Sequence, residues 1–245
     1  MASGDTFCPV STTAPRQLSL EVVLRRAGAV LSTREGRPVA VHFGSAAAEL
    51  AVCVRRVGLV DHSELSTVAL EAPPAQLSAL MTRLVGATVA PGGLISGGSA
   101  WWCGEAADRV MVVCDRRMAT RLVDSLHTVA ARHVAVRNLS EQLTAMALLG
   151  RNTGKVLAAL GVYGATGDPR HAKPFGRGSV DGIPVAWLLQ SDHRALALVP
   201  REHAGAAWLA IERAGRPSGI SCVGHEAACR YALMERLQPG TPAYL

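Results

Sequence analysis

The sequence lacks the features that mark a membrane, secreted or nucleic-acid-binding chain. No apolar run approaches 18 residues, and the N-terminus has no basic region followed by an apolar stretch and a small-residue cleavage site. Neither a membrane span nor a signal peptide is expected. Among Cys8, Cys53, Cys103, Cys114, Cys222 and Cys229 there is no C-x-x-C pair and no histidine at metal-ligand spacing, so reduced, mostly buried thiols and no metal centre are expected. The net charge of +6 comes from scattered arginines, clustered only at Arg25-Arg26, Arg55-Arg56 and Arg116-Arg117. A nucleic-acid surface needs a denser stripe with interleaved aromatics. These absences point to a cytoplasmic protein with no membrane and no nucleic-acid partner.

What is present is a chain of 245 residues with 49% apolar and 18% charged content, enough to bury a substantial core. Residues 1–17 are rich in Ser, Thr and Pro with little periodicity and read as a disordered leader. Helical spacing then marks Leu18 to Ala29, a strand alternates over Pro38 to Phe43, and Gly44-Ser45 starts a helix that Gly58 is expected to end. A strand at Ser66–Glu71 leads to a helix opened by Pro73-Pro74. Further strands are expected at Arg109–Cys114, His133–Arg137 and Leu143–Leu149, and helices at Met118–Arg132 and Gly154–Leu160. Tyr163 to Gly178 reads as a loop, followed by a hairpin of Gly182–Leu189 and Ala195–Val199 turned by Gln190 to His193. Helices at Pro200–Ala214 and Gly224–Leu237 close the chain, the latter with His225-Glu226 as its acidic first turn. The order strand, helix, strand, strand, helix is that of split βαβ or ferredoxin-like units, and the class is α+β.

The densest unusual stretch is Pro91 to Gly104, where five glycines sit beside the paired indoles of Trp101 and Trp102. Glycine serves where the backbone takes positive φ or another group comes close, and two indoles offer a broad apolar face. The stretch reads either as a plain hairpin or as the mouth of a ligand pocket.

Several stretches in order resemble the aminomethyltransferase (glycine cleavage T-protein) family. His42-Phe43-Gly44-Ser45, a helix, and then Val57 to Ser63 resemble the family's entry into its "vGLfD-x-S" turn. Pro91-Gly92, the strand through Val112-Val113, Leu143 to Gly150, Pro174-Phe175, and the closing Arg230 to Leu237 with Pro239 to Tyr244 follow in family order. The resemblance covers about residues 38 to 245. It implies two interlocked ferredoxin-like units around a central channel for tetrahydrofolate, in subdomains of roughly 18–140 and 141–245. The family's C-terminal β-barrel is expected to be absent, as in truncated relatives such as the sarcosine oxidase gamma subunit.

The same resemblance assigns candidate ligand-binding residues. Ser96 and Gly97 fall where the family keeps two aspartates, so the ordinary proton-transfer carboxylate is missing. Asp192 falls on the glutamate that holds the pterin, although Asp is also an ordinary hairpin-turn residue. Arg230 matches an arginine near the folate channel, or Arg236 does in a shifted register; Phe175 matches an aromatic near the folate ring or is a core plug; and Trp101 and Trp102 wall the pocket. His62 and Glu64 flank Ser63 and are the nearest titratable substitutes for the lost acid or base. The implied activity is folate-dependent one-carbon transfer or demethylation of a non-standard substrate. The alternatives are a non-catalytic subunit of an amine-oxidising complex and a recruited enzyme that acts on another small molecule without folate. The expected partners are a small-molecule ligand and a protein that supplies the barrel.

Overall fold

The computed structural model describes residues 19–129, 133–164 and 172–237. The expected leader and the closing Pro239 to Tyr244 stretch lie outside these residues. In chain order the elements are α1 (Leu20–Arg26), β1 (Val30–Arg34), β2 (Arg37–His42), α2 (Ala46–Arg55), β3 (Val57–Asp61), β4 (Ser66–Glu71) and α3 (Pro74–Val85). There follow β5 (Leu94–Gly97), β6 (Ala100–Ala106), β7 (Arg109–Cys114), α4 (Arg116–Val129), β8 (Ala135–Asn138), β9 (Leu143–Leu149) and α5 (Thr153–Ala159). The last elements are β10 (Phe175–Val180), β11 (Ile183–Ser191), β12 (Arg194–Pro200), α6 (Ala204–Gly215), β13 (Ile220–Val223) and α7 (His225–Arg236). The class is α+β, as expected.

Three sheets form: the hairpin β1-β2, a six-stranded sheet in the order β10-β11-β12-β9-β3-β13, and a five-stranded sheet in the order β5-β6-β7-β4-β8. All pairings are antiparallel except that of β13 with β3. Period-two alternation sorts the side chains of each strand between cores. On β9, Met146 and Leu148 join one core with Trp208 and Ile211 of α6 and Val23 and Leu24 of α1. Ala145, Ala147 and Leu149 of the same strand point the other way, into a core shared with Met111 and Val113 of β7. That middle core fills the space between the two large sheets and extends beneath α2 and α7 through Cys53, Ala227 and Tyr231. The outer face of the five-stranded sheet packs Val110 and Val112 against Leu77 and Met81 of α3 and Leu122 and Leu126 of α4. Among the described residues no helix is long and apolar enough to cross a membrane.

Two expectations change. Gly58 does not end a helix. It lies inside β3, where an added Cβ would stand 2.7 Å from Val223 Cγ2 and 2.9 Å from Cys53 Sγ. Glycine is required there by the close approach of β13 and α2 to the strand. The expected loop from Tyr163 also stops short of Gly178, because β10 begins at Phe175 and pairs with β11 from Phe175–Leu188 to Val180–Ile183.

The placement of α7 depends on one buried carboxylate. Glu49, in the first turn of α2, accepts hydrogen bonds from Phe43 N and Gly224 N, both at 2.7 Å. It thereby joins the end of β2, the start of α2 and the start of α7. Gly224 sits so close to β2 that a Cβ would lie 2.1 Å from Val41 O. Hydrogen bonds to a charged group contribute about 1.5–3 kcal/mol each, and a donor left unsatisfied costs a similar amount. Replacing Glu49 with Ala is therefore expected to lower the unfolding free energy by about 3 kcal/mol, measured by urea titration. Gly224→Ala is expected to be at least as damaging. Unchanged midpoints for both would contradict this role.

A second buried acid closes the β3–β4 turn. Asp61, 1% exposed, accepts from the backbone N–H of Ser63 at 3.0 Å and from its hydroxyl, while its Oδ2 has no partner. Burial raises its pKa from 3.8 to about 6, against the opposing pull of the Ser63 hydrogen bonds. The folded state therefore holds this proton more tightly than the unfolded chain. Stability from this group is present below pH 3.8 and lost as pH rises towards 6. Each pK unit corresponds to about 1.4 kcal/mol. Asp61→Asn is expected to gain on the wild type by about 2–3 kcal/mol between pH 4 and pH 7 in denaturant titrations. An equal difference at both pH values would refute it.

Candidate functional site

The two large sheets do not pack in contact everywhere. Between them lies a cavity of about 300 Å³. Trp101 of β6 and Val113 of β7 line it from the five-stranded sheet, and Ala147, Gln190, Arg194 and Leu196 line it from the six-stranded sheet. His62 and Glu64, on the turn between β3 and β4, form a polar wall. The β5–β6 hairpin turns through Gly98 and Ser99, with φ of 61° and 64°. Two successive positive-φ residues make the tight turn that suits the twist of paired strands. This turn brings Ser99 to the cavity beside Trp101.

The polar wall extends beyond the cavity lining. His62 Nδ1 lies 2.8 Å from Glu64 Oε1, and His225 Nδ1 lies 3.5 Å from the same oxygen. The two imidazoles meet edge to face, with centroids 6.1 Å apart. On the far side of its ring, His225 Nε2 is 3.1 Å from Cys229 Sγ, one helical turn along α7. Burial pushes the Glu64 carboxyl up, but the charge of His62 and hydrogen bonds from His225 and His62 outweigh it and hold the group well below the usual carboxylate range. His225 is pushed up to about 9 by its bonds to Cys229 and Glu64, against the opposing effect of burial. The Cys229 thiol is pulled down by its bond to His225, burial again opposing, with the charges of His225 and Arg34 adding to the pull. By contrast, burial pushes the thiols of Cys53 and Cys114 up to about 12 and that of Cys222 to about 11.

The structure disperses the residues that the sequence assigned to ligand binding. Trp101 lines the cavity. Its neighbour Trp102 points to the opposite face of the sheet, is 1% exposed and donates its indole N–H to Gly97 O at 3.0 Å. Phe175 is buried in the middle core among the residues under the two sheets. Ser96 is exposed on β5, paired in register with Trp101. Asp192 is exposed in the β11–β12 turn, and its charge acts on the Tyr163 hydroxyl, outside the inter-sheet cavity. Arg230 is exposed on α7 and ion-paired to Glu226 at 2.6 Å.

Two members of the polar cluster were not assigned from the sequence. His225 reads as the first residue of a helix, which it is, and Cys229 as one thiol among six. The available signal is the spacing His225-x-x-x-Cys229, which sets the two on one helical face. Their approach to the His62-x-Glu64 turn is tertiary and has no local mark.

No family model and no curated protein matches the chain. Solved structures do. The glycine cleavage system aminomethyltransferase T from Bartonella henselae superimposes with a TM-score of 0.72 at 17% identity, over 90% of this chain and 63% of that one. The chain thus spans less than two thirds of that enzyme. A chain of the heterotetrameric sarcosine oxidase from Corynebacterium sp. U-96, solved in complex with pyrrole 2-carboxylate, superimposes with a TM-score of 0.57 at 18% identity, over 72% of this chain and 93% of that one. The superpositions show that the chain has the fold of the glycine cleavage aminomethyltransferase.

Proposed function

We propose that this chain is a diverged aminomethyltransferase-like protein that binds a folate-class ligand in the inter-sheet cavity and takes part in one-carbon transfer or demethylation. The observation that carries this reading is the cavity itself, about 300 Å³ between two sheets, with an indole on one side and titratable groups on the other. The finer architecture we read as two interlocked ferredoxin-like units. Support comes from the order β6-β7-β4-β8, which is the split βαβ arrangement, and from β3, which lies beside β9 where a second unit needs its fourth strand.

The lining suits a pterin. A pterin edge presents coplanar donors and acceptors, and the Gln190 amide offers both, while Asp115 offers an acceptor. Trp101 supplies a face for the ring system. Glu64 Oε2 is buried without a hydrogen-bond partner, as expected of a group that faces a ligand. Tetrahydrofolate, when bound, supplies the nitrogen that accepts the one-carbon unit. The chain's own contribution is to exclude water, orient the ring and hold a proton nearby. The family's aspartates are replaced by Ser96 and Gly97, and Ser96 is exposed. The His62–Glu64 pair is the proton-holding group at the cavity instead, with Nδ1 and Oε1 2.8 Å apart.

A second reading, as a non-catalytic subunit of an amine-oxidising complex, is favoured by the 93% coverage of the sarcosine oxidase chain. Calorimetric titration with tetrahydrofolate and 5,10-methylenetetrahydrofolate tests ligand binding for both readings, and turnover separates them. The wild type is expected to bind, Trp101→Ala to weaken binding about tenfold, and Asp192→Ala to change it less than twofold. No heat with either ligand removes the folate reading. Loss of binding in Asp192→Ala alone moves the ligand to the β11–β12 turn.

A further inference from the structure

His62, Glu64 and His225 bring one donor atom each to within 4.8 Å of the other two, the one such group among the described residues that excludes no member by distance. Two of these atoms stand out. Glu64 Oε2 is buried with no hydrogen-bond partner, and buried His225 Nδ1 has only the other oxygen of Glu64 nearby, at 3.5 Å. Buried polar atoms are nearly always paired, so a free carboxylate oxygen beside a loosely held imidazole nitrogen calls for a further partner. A hydrogen-bonded water satisfies one or both only as a neutral bridge, whereas a cation also answers the carboxylate charge.

We propose that His62, Glu64 and His225 form a binding site for a divalent transition-metal ion of the zinc class, with its open positions towards the inter-sheet cavity. Two imidazoles and one carboxylate suit borderline ions such as zinc, and nitrogen ligands disfavour magnesium and calcium, which take oxygen. Three protein ligands leave at least one coordination position for water or substrate. His62 and Glu64 line the cavity, so that position opens onto the ligand space.

Cys229 has a distinct part. Its sulfur is 3.1 Å from His225 Nε2, on the side of the ring away from Glu64. With one ring N–H donated there, Nδ1 is the nitrogen that faces Glu64 and binds an ion once its own proton has left. Metal-bound histidines regularly give their other N–H to an anchoring acceptor, which fixes tautomer and ring orientation. Cys229 is thus a positioning residue and the ion's ligands are His62, Glu64 and His225. Binding displaces any proton held on those two nitrogens and forms three bonds to the ion, with no oxidation or reduction. The site rests on the cluster's geometry and not on folate, and a bound ion takes the place of the proton that the His62–Glu64 pair otherwise holds.

The test is calorimetric titration of chelator-treated full-length protein, free of folate, with zinc chloride and separately with magnesium chloride. One zinc per chain is expected, with no magnesium binding at the same concentrations. His225→Gln and Glu64→Gln are each expected to weaken zinc at least a hundredfold, and Cys229→Ser about tenfold. Melting curves on each variant separate lost binding from lost folding. The visible spectrum of the cobalt-loaded wild type needs no variant: bands of a four- or five-coordinate nitrogen–oxygen site are expected. Failure to saturate at one zinc, zinc affinity that survives both ligand substitutions, or a strong sulfur-to-cobalt charge-transfer band would each overturn the assignment.

Discussion

A single carboxylate fixes the geometry on which the site depends. Glu49 holds the N-terminus of α7 against the end of β2 through Phe43 N and Gly224 N, and the absence of a side chain at Gly224 lets the two backbones meet. His225 is the next residue. A helix start that slid by half a turn would carry His225 and Cys229 away from the β3–β4 turn and break every contact of the polar cluster. The turn itself is fixed by Asp61 on Ser63, and by buried Arg37, which donates to Ser63 O at 3.0 Å and to Ser140 O at 2.7 Å. Both sides of the cluster are thus held by buried polar groups outside it.

The cavity follows from the layer arrangement. Each large sheet has one face covered by helices, and the two uncovered faces oppose one another. Bulky residues such as Met111, Leu149 and Leu188 fill most of that space, while Ala147 leaves room near the His62–Glu64 wall. A small residue on one strand and polar groups at one side line this chamber. Trp101 and Trp102 show how alternation divides labour: one indole faces the chamber and the other packs under α3 and α4.

Much of the fold was legible because its signals are local. The apolar runs of β4, β7 and β9 have the bounds that alternation and turn residues predict, and Pro73-Pro74 starts α3 where proline belongs. The β1-β2 hairpin, β3 and β13 were less legible. They are short, and β3 and β13 carry Gly58 and Ser221, weak strand formers whose place is set by neighbours in the sheet. At the site, His62 and Glu64 were visible as a titratable pair beside Ser63. Phe175, Trp102 and Arg230 were assigned by family position, and their side chains go to a core, a core and a surface ion pair. His225 and Cys229 meet the pair only through the docking of α7, which no local pattern encodes.

The proposed ligand lies between the sheets against Trp101. The chain has four tryptophans, Trp101, Trp102, Trp187 and Trp208, so its indole N–H signals in a nitrogen-correlated NMR spectrum report on four separate places. Trp102 and Trp208 are core residues, and Trp187 borders a different cavity beside Tyr163. On saturation with tetrahydrofolate the Trp101 signal is predicted to move while the other three stay. Movement of Trp187 with Trp101 unmoved would place the ligand elsewhere and contradict the claim.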